Sequence, residues 1–235
     1  TAGSPPPGPR RPRGVIFDLD GTLTEPLLDF EAIRREIGVP SRQPILEALE
    51  AFEPAARAQA EVVLRRHEMD AIAAATLADG CRELLGLLEA HDVATAILTR
   101  NIRAAVDDFT GRFGLRFAAV FTREDGPPKP APDGARELCR RLGLPASDVW
   151  AVGDYKYDVI AGREAGCRTV LVSPAPPDDL AEWGSPDLVI RSLRELVELW
   201  KRRPRGARPI ALRRRVAAPG HPAAAAARSR TGPWP

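Results

Sequence analysis

The sequence has few of the residues on which disulfide frameworks, zinc sites and membrane segments depend. Its three cysteines show no CxxC spacing, which argues against a disulfide framework or a zinc site and is compatible with a reducing compartment. The three histidines lie far apart, so no histidine-based metal cluster or catalytic triad is indicated. No run approaches the roughly 18 to 20 apolar residues of a membrane span, and the first residues lack the apolar core of a signal peptide. We therefore expect a cytoplasmic protein; a mitochondrial location stays open because the first residues carry no acid.

Acidic residues are missing from both ends of the chain. Residues 201–235 contain ten basic residues and residues 1–13 contain three, with no acidic residue in either segment. Removing these thirteen from the 34 basic residues leaves 21 against 32 acidic ones, so residues 14–200 carry a net charge of −11 although the whole chain carries +2. Eleven of the 24 prolines also lie in the two ends, where they oppose regular structure. We predict disordered basic tails over 1–13 and 201–235.

The basic C-terminal tail raises the hypothesis of docking on nucleic acid or another anionic surface. No aromatic residues interleave with its arginines, and no nucleic-acid-binding fold accompanies them. A solvated extension is therefore the favoured interpretation.

Between the tails, short apolar runs alternate with helical patterns, which is typical of an α/β fold with a Rossmann-like parallel sheet and right-handed crossovers. Residues 25–78 interrupt this alternation, because they contain helical patterns and no convincing strand. We predict a catalytic core over 14–24 and 79–200 with a small helical domain inserted at 25–78. The predicted strands cover 15–17, 93–98, 117–121, 149–152, 169–172 and 188–190.

Polar side chains follow four of the predicted strands. Because ligands of such sheets bind outside the carboxyl ends of the strands, we expect these side chains to converge at one edge. The residues are Asp18 and Asp20 after the first strand, Thr99, Arg100 and Asn101 after the second, Lys129 after the third, and Asp154 and Asp158 after the fourth.

Four carboxylates cannot gather in a partly desolvated site without compensating positive charge. A divalent cation with oxygen ligands supplies that charge, and Mg²⁺ typically combines one or two carboxylates with waters and a substrate phosphate. Lys129 adds a fixed charge on a proline-flanked loop, and it is one of only three lysines against 31 arginines. The pattern therefore indicates a magnesium site next to a lysine that suits either a phosphate or an aspartyl nucleophile.

Four motifs in this order resemble those of the haloacid dehalogenase superfamily. The segment from Asp18 to Thr24 resembles its first motif, DxDGTLT, and the segment from Ile97 to Thr99 its second. Lys129 with Pro130 resembles the third, and Gly153-Asp154 with Asp158 the fourth. The resemblance covers residues 14–200, and the insertion at 25–78 looks like the helical cap of phosphoglycolate phosphatase-like members.

The resemblance implies a role for each motif residue. Asp18 would be the nucleophile that forms an aspartyl-phosphate, and Asp20 the general acid and base. Asp18, the backbone carbonyl of Asp20 and Asp154 would hold Mg²⁺, with Asp158 as a ligand or as a residue that orients one. Thr99 and Lys129 would bind the transferring phosphoryl group.

Four of the residues that follow the strands also fit structural roles. Thr99 fits the N-cap of a helix, and Asp158 fits a solvated acid in the first turn of a helix. Arg100 and Asn101 fit capping and substrate contact equally well.

The reaction that the resemblance implies is Mg²⁺-dependent hydrolysis of a small phosphomonoester metabolite. Asp20 argues against a dehalogenase, since the dehalogenases of this superfamily lack that aspartate. The absence of lysine from residues 25–78 disfavours phosphonate hydrolysis, which uses a lysine of the cap. The alternatives are a phosphosugar mutase of the same superfamily and a non-catalytic binding protein on this fold.

Overall fold

The computed structural model describes residues 11–202 of the chain. Within that range, no helix is both long and apolar enough to cross a lipid bilayer. The strands are β1 (Gly14–Phe17), β2 (Ala94–Leu98), β3 (Ala119–Phe121), β4 (Val149–Gly153), β5 (Arg168–Val172) and β6 (Leu188–Ile190). The helices are α1 (Phe30–Ile37), α2 (Ile45–Glu50), α3 (Pro54–Ala74), α4 (Cys81–Glu89), α5 (Arg103–Phe113), α6 (Asp133–Leu142), α7 (Lys156–Glu164) and α8 (Leu193–Lys201), with a 3₁₀ turn at Ala146–Asp148.

The six strands form one parallel sheet in the order β3-β2-β1-β4-β5-β6. This arrangement confirms the predicted α/β fold with a parallel core. The first strand lies in the middle of the sheet, where Phe17 pairs with Ile97 on one side and Val152 on the other. The residues that follow β1, β2 and β4 therefore leave the sheet at the same edge, next to one another.

Both faces of the sheet are buried, as the continuous apolar character of β1 predicts. Val15 and Phe17 pack into a large cluster with α4, α5 and α8, whereas Ile16 packs into a second cluster with α6. Successive residues of a strand point to opposite faces, so a strand covered on both sides must be apolar throughout. This requirement explains why the run 15–17 carries no polar residue.

Residues 29–66 form a compact unit separate from residues 11–28 and 67–202. The smaller unit contains α1, α2 and the first part of α3, and no strand occurs among its residues. The predicted insertion extended to residue 78, but residues 67–78 belong to the larger unit. The reason is that Ile72 and Ala75, near the end of α3, are buried in the core cluster of that larger unit.

The described residues of the predicted tails make contacts with the rest of the chain, although Arg13, Lys201 and Arg202 are exposed. The Arg11 guanidinium lies 4.7 Å from the centre of the Trp200 ring and donates a hydrogen bond to the Trp200 carbonyl oxygen at 3.0 Å. Lys201 is the last residue of α8, and its ammonium pairs with Glu83 at 2.5 Å. The other predicted tail residues, and with them the docking hypothesis, lie outside the described range.

The close packing of α7 on the sheet generates a prediction about stability. A Cβ atom added at Gly162 would lie 2.5 Å from the Cβ of Ala151 in β4, a side chain too short to move aside. We therefore expect Gly162→Ala to lower the free energy of unfolding by about 1–3 kcal/mol through overpacking. The matched control is Gly86→Ala in α4, where no atom lies within 4 Å of the added Cβ. That substitution should raise stability by about 0.5–1 kcal/mol because alanine favours helix.

Urea unfolding of the two variants and of the unchanged protein measures these differences. Equal stability of the two alanine variants would contradict the close approach of α7 to β4.

Candidate active site

Four segments meet at the carboxyl edge of the sheet. The backbone N–H of Asp18, directly after β1, donates to the carbonyl oxygen of Val152 in β4 at 2.9 Å. The N–H of Thr99, directly after β2, donates to the carbonyl oxygen of Phe121 in β3 at 3.0 Å. These bonds continue the strand ladders by one residue, so the sheet itself sets the positions of the first polar residues beyond β1 and β2.

The ammonium group of Lys129 connects two of these segments. Its Nζ atom lies 2.6 Å from Oδ1 of Asp18 and 2.6 Å from Oδ1 of Asp158, and only 3% of its side chain is exposed. Burial alone favours the neutral amine, but the charges of Asp158 and Asp18 outweigh it and raise the pKa of Lys129 above its ordinary value. Lys129 is therefore a permanent positive charge at the base of the site.

Asp158 lies in the first turn of α7 and uses both of its carboxylate oxygens inside the protein. Oδ1 accepts a hydrogen bond from Lys129 at 2.6 Å, and Oδ2 accepts one from the backbone N–H of Tyr155 at 3.0 Å. Asp158 is buried, so the interpretation as a solvated acid of a helix turn is wrong. Its pairing with a buried ammonium is the physical reason, because an unpaired buried carboxylate would be strongly unfavourable.

Asp154 follows β4 and faces the turn after Asp20. Thr22 donates a side-chain hydrogen bond to Oδ1 of Asp154 at 3.4 Å. Gly21 adopts a φ of +78°, and a Cβ atom there would lie 2.4 Å from Oδ2 of Asp154, so this tight turn requires glycine as the motif predicts. Burial and the neighbouring charge of Asp158 raise the pKa of Asp154 to about 7.

The carboxylates of Asp18, Asp154 and Asp158 form a compact cluster, in which one ligand oxygen of each lies within 4.8 Å of the others. Burial raises the pKa of Asp18, and the neighbouring carboxylates add to this effect while Lys129 opposes it. The cluster thus concentrates more negative charge than Lys129 compensates. Oxygen ligands with excess negative charge are what Mg²⁺ requires, so the residues present fit that cation.

Asp20 lies beside this cluster and contacts the segment after β2. Its Oδ2 atom accepts a hydrogen bond from the side-chain amide of Asn101 at 3.1 Å. Burial raises the pKa of Asp20, whereas the Asn101 hydrogen bond and the charges of Lys129 and Arg123 lower it, and burial prevails. A raised pKa is the property that a general acid needs near neutral pH.

The segment Thr99-Arg100-Asn101 is bound to the other parts of the site. The Thr99 hydroxyl oxygen accepts a hydrogen bond from the backbone N–H of Asn101 at 3.0 Å, and Asn101 Oδ1 accepts one from the N–H of Ile102 at 2.7 Å. The helix α5 begins only at Arg103, so the interpretation of Thr99 as its N-cap is wrong. The Arg100 guanidinium donates to the carbonyl oxygen of Lys129 and lies 4.8 Å from the centre of the Tyr157 ring.

A buried ion pair that no sequence motif predicts lies next to this segment. Arg123, after β3, forms a two-pronged pair with Glu68 of α3, and the same guanidinium donates to the carbonyl oxygen of Arg100 at 3.0 Å. No local pattern marks two residues 55 positions apart as partners. Apolar residues three or four positions from Glu68 along α3 indicate that its carboxylate is buried, but they do not identify its partner.

Comparison with known proteins places the chain in a family. Residues 24–172 match the model of the haloacid dehalogenase-like hydrolases. The chain is 33% identical to a haloacid dehalogenase-like hydrolase domain-containing protein of Arabidopsis thaliana over 205 residues, which are 80% of this chain and 84% of that protein. The chain therefore belongs to the haloacid dehalogenase-like hydrolases, as its four motifs predict.

More distant relatives carry more specific names. A phosphoglycolate phosphatase of Chromobacterium violaceum is 27% identical over 216 residues, covering 80% of this chain and 96% of the relative. The crystal structure of a hydrolase from Pseudomonas syringae superposes with a TM-score of 0.69 at 19% identity, covering 80% of this chain and 98% of the other. The structural likeness confirms the fold.

The raised pKa of Asp154 generates a prediction about pH. Below its ordinary pKa of 3.8, Asp154 carries its proton in both the folded and the unfolded chain and contributes nothing. As the pH rises toward 7, the unfolded chain loses that proton while the folded chain keeps it, so Asp154 progressively destabilises the fold. In protein treated with EDTA, we expect Asp154→Asn to raise the free energy of unfolding at pH 8 by about 2 kcal/mol, half of what the full shift implies, because the site is partly hydrated.

Thermal unfolding of the EDTA-treated protein at pH 8 and pH 4.5 measures this effect, and the gain in Tm should shrink at the lower pH. The control is Asp178→Asn, which removes an exposed acid and should leave the Tm unchanged. A Tm for Asp154→Asn that equals that of the unchanged protein at pH 8 would contradict the burial of excess negative charge.

Proposed function

We propose that this protein is a Mg²⁺-dependent phosphatase that hydrolyses a small phosphomonoester through an aspartyl-phosphate on Asp18. The observation that carries the proposal is the contact between Lys129 and Asp18 at 2.6 Å, with Asp20 two residues away in the same turn. A carboxylate nucleophile, a fixed cation and a second, protonated carboxyl group are the parts that this hydrolysis needs. Membership of the hydrolase family supports the same conclusion.

In the first half of the reaction, a carboxylate oxygen of Asp18 attacks phosphorus while the bond to the ester oxygen breaks. Asp20 donates its proton to the leaving oxygen, which departs as an alcohol. Lys129 and Thr99 bind the phosphoryl oxygens, where the ammonium charge stabilises the negative charge of the transition state. The charge of Lys129 also opposes the rise in the pKa of Asp18 and so favours the ionised form, which a nucleophile requires.

In the second half, Asp20 acts as the base. It removes a proton from the water that attacks the phosphorus of the aspartyl-phosphate, and the bond to Asp18 breaks to release inorganic phosphate. Asp20 has then recovered its proton, and Asp18 is again a free carboxylate. The Asn101 amide holds the Asp20 side chain in place for both transfers.

Mg²⁺ fits beside Asp18, Asp154 and the backbone carbonyl of Asp20, where it would neutralise charge on the phosphoryl group when bound. Asp158 is assigned an orienting role, because both of its oxygens already accept hydrogen bonds from Lys129 and Tyr155. The helical unit over residues 29–66 is assigned the role of the cap that selects the substrate.

The substrate class is a small phosphorylated metabolite. Relatives named phosphoglycolate phosphatase and N-acetylmuramic acid 6-phosphate phosphatase support a phosphomonoester. A relative named pyrophosphatase makes pyrophosphate a necessary member of any substrate panel.

The proposal predicts that the protein releases inorganic phosphate from at least one member of a panel of phosphorylated metabolites in the presence of Mg²⁺. Asp18→Asn should reduce kcat by about a thousandfold or more, because the amide cannot form the intermediate. Asp20→Asn should lower kcat by roughly a hundredfold or more, since proton transfer to the leaving oxygen is lost. A colorimetric phosphate assay measures both effects, and EDTA should stop the reaction until Mg²⁺ is restored.

The control is Asp133→Asn, an exposed acid that begins α6 and should leave kcat unchanged. Full activity of Asp18→Asn, or full activity in EDTA, would refute the proposal. Detection of an isomerised sugar phosphate without free phosphate would identify a mutase instead.

A further inference from the structure

The ion pair between Glu68 and Arg123 is buried beside the candidate site without touching its carboxylate cluster. The guanidinium donates from Nη1 to Oε1 and from Nη2 to Oε2, the second bond measuring 2.9 Å. The side chains are 6% and 15% exposed. Because the desolvation of two charges can exceed their attraction, a buried ion pair is weak evidence for a purely stabilising role.

Arg123 also holds the backbone of the segment after β2 at two consecutive carbonyl groups. Its Nη1 atom donates to the carbonyl oxygen of Arg100 at 3.0 Å, and its backbone N–H donates to the carbonyl oxygen of Asn101 at 3.3 Å. Glu68 fixes the direction of the guanidinium, since the planar fork of arginine matches a carboxylate in one geometry. The carboxylate of Glu68 thereby directs the guanidinium toward the carbonyl oxygen of Arg100, next to the backbone bond that holds Asn101.

The held segment reaches the reacting groups at two points. The side-chain amide of Asn101 donates to Oδ2 of Asp20 at 3.1 Å. The guanidinium of Arg100 donates to the backbone carbonyl of Lys129. A displacement of the segment would therefore misplace Asp20 directly, whereas the Lys129 ammonium is held independently by Asp18 and Asp158.

We propose that Glu68 and Arg123 are positioning residues, which fix the backbone of Arg100 and Asn101 so that Asp20 is aligned for proton transfer. This inference rests on the proposed function, because the role of Asp20 does. Neither residue is assigned a contact with substrate. The expected signature is a loss in kcat with little change in KM, because phosphate binding depends mainly on Lys129 and Thr99.

A matched control contacts the same helix, α3, from a different position. Arg112 of α5 donates to the carbonyl oxygens of Ile72 and Ala75 at the end of α3, with the second bond at 3.0 Å. It therefore anchors α3 as Arg123 does, but none of its described hydrogen bonds reaches the segment after β2 or the carboxylates. Arg112→Lys tests for the effect of loosening α3 alone.

The experiment compares Arg123→Lys, Glu68→Gln and Arg112→Lys with the unchanged full chain, well below the lowest Tm of the set. We expect kcat to fall about tenfold to a hundredfold in the first two variants, with KM changed less than about threefold, because small displacements of reacting groups carry costs of this size. Arg112→Lys should lower the Tm and leave kcat within about twofold. If Arg123→Lys and Glu68→Gln also keep kcat within about twofold, the pair is structural and the proposal is overturned.

A second readout does not require activity. In ¹H–¹⁵N spectra of the labelled protein, the side-chain amide signals of Asn101 should shift in Arg123→Lys and Glu68→Gln and stay in place in Arg112→Lys. If the unchanged protein releases phosphate from no substrate of the panel, the proposed function fails, and these signals alone decide whether the pair positions the segment. Unshifted Asn101 signals in the first two variants would overturn the inference in either case.

Discussion

The buried ammonium of Lys129 is the interaction on which the site depends. Its Nζ atom lies 2.6 Å from the carboxylate of Asp18, directly after β1, and 2.6 Å from that of Asp158, in the first turn of α7. The ammonium charge stabilises this arrangement, in which the two carboxylates would otherwise repel each other. The sheet makes this possible because β1 and β4 are adjacent, which places the residues after both strands at one edge. A single positive charge on a short loop thus links the middle of the sheet with the start of α7.

A second network extends the site away from the carboxylates. The side-chain amide of Asn101 donates to Asp20, and the guanidinium of Arg100 donates to the carbonyl oxygen of Lys129. Arg123, which is paired with Glu68, donates hydrogen bonds to the carbonyl oxygens of Arg100 and Asn101. Hydrogen bonds therefore hold the segment after β2 from two sides. Asp20 and Lys129 bond to it on one side, and Arg123, which is paired with Glu68 of α3, bonds to it on the other. Helix α3 is also the element whose first part belongs to the smaller compact unit, so the same helix contributes to both parts of the chain.

Local patterns were sufficient for most of the fold and for the motif residues. The apolar run 15–17 ending at Asp18 predicts a buried strand, because strand burial depends on neighbouring residues. The short helix α2 was missed because six residues carry too little periodicity.

Residue types at short spacing are sufficient to predict the parallel α/β architecture, the four strand-end motifs and Lys129 as the positive charge among the carboxylates. Tertiary structure decided that Asp158 pairs with Lys129, that Thr99 bonds within its own segment, and that Glu68 meets Arg123. These outcomes depend on the direction of a side chain and on the identity of a partner far away in the chain. Local spacing can predict that a charge lies near the site, whereas only the packed structure determines which opposite charge it meets.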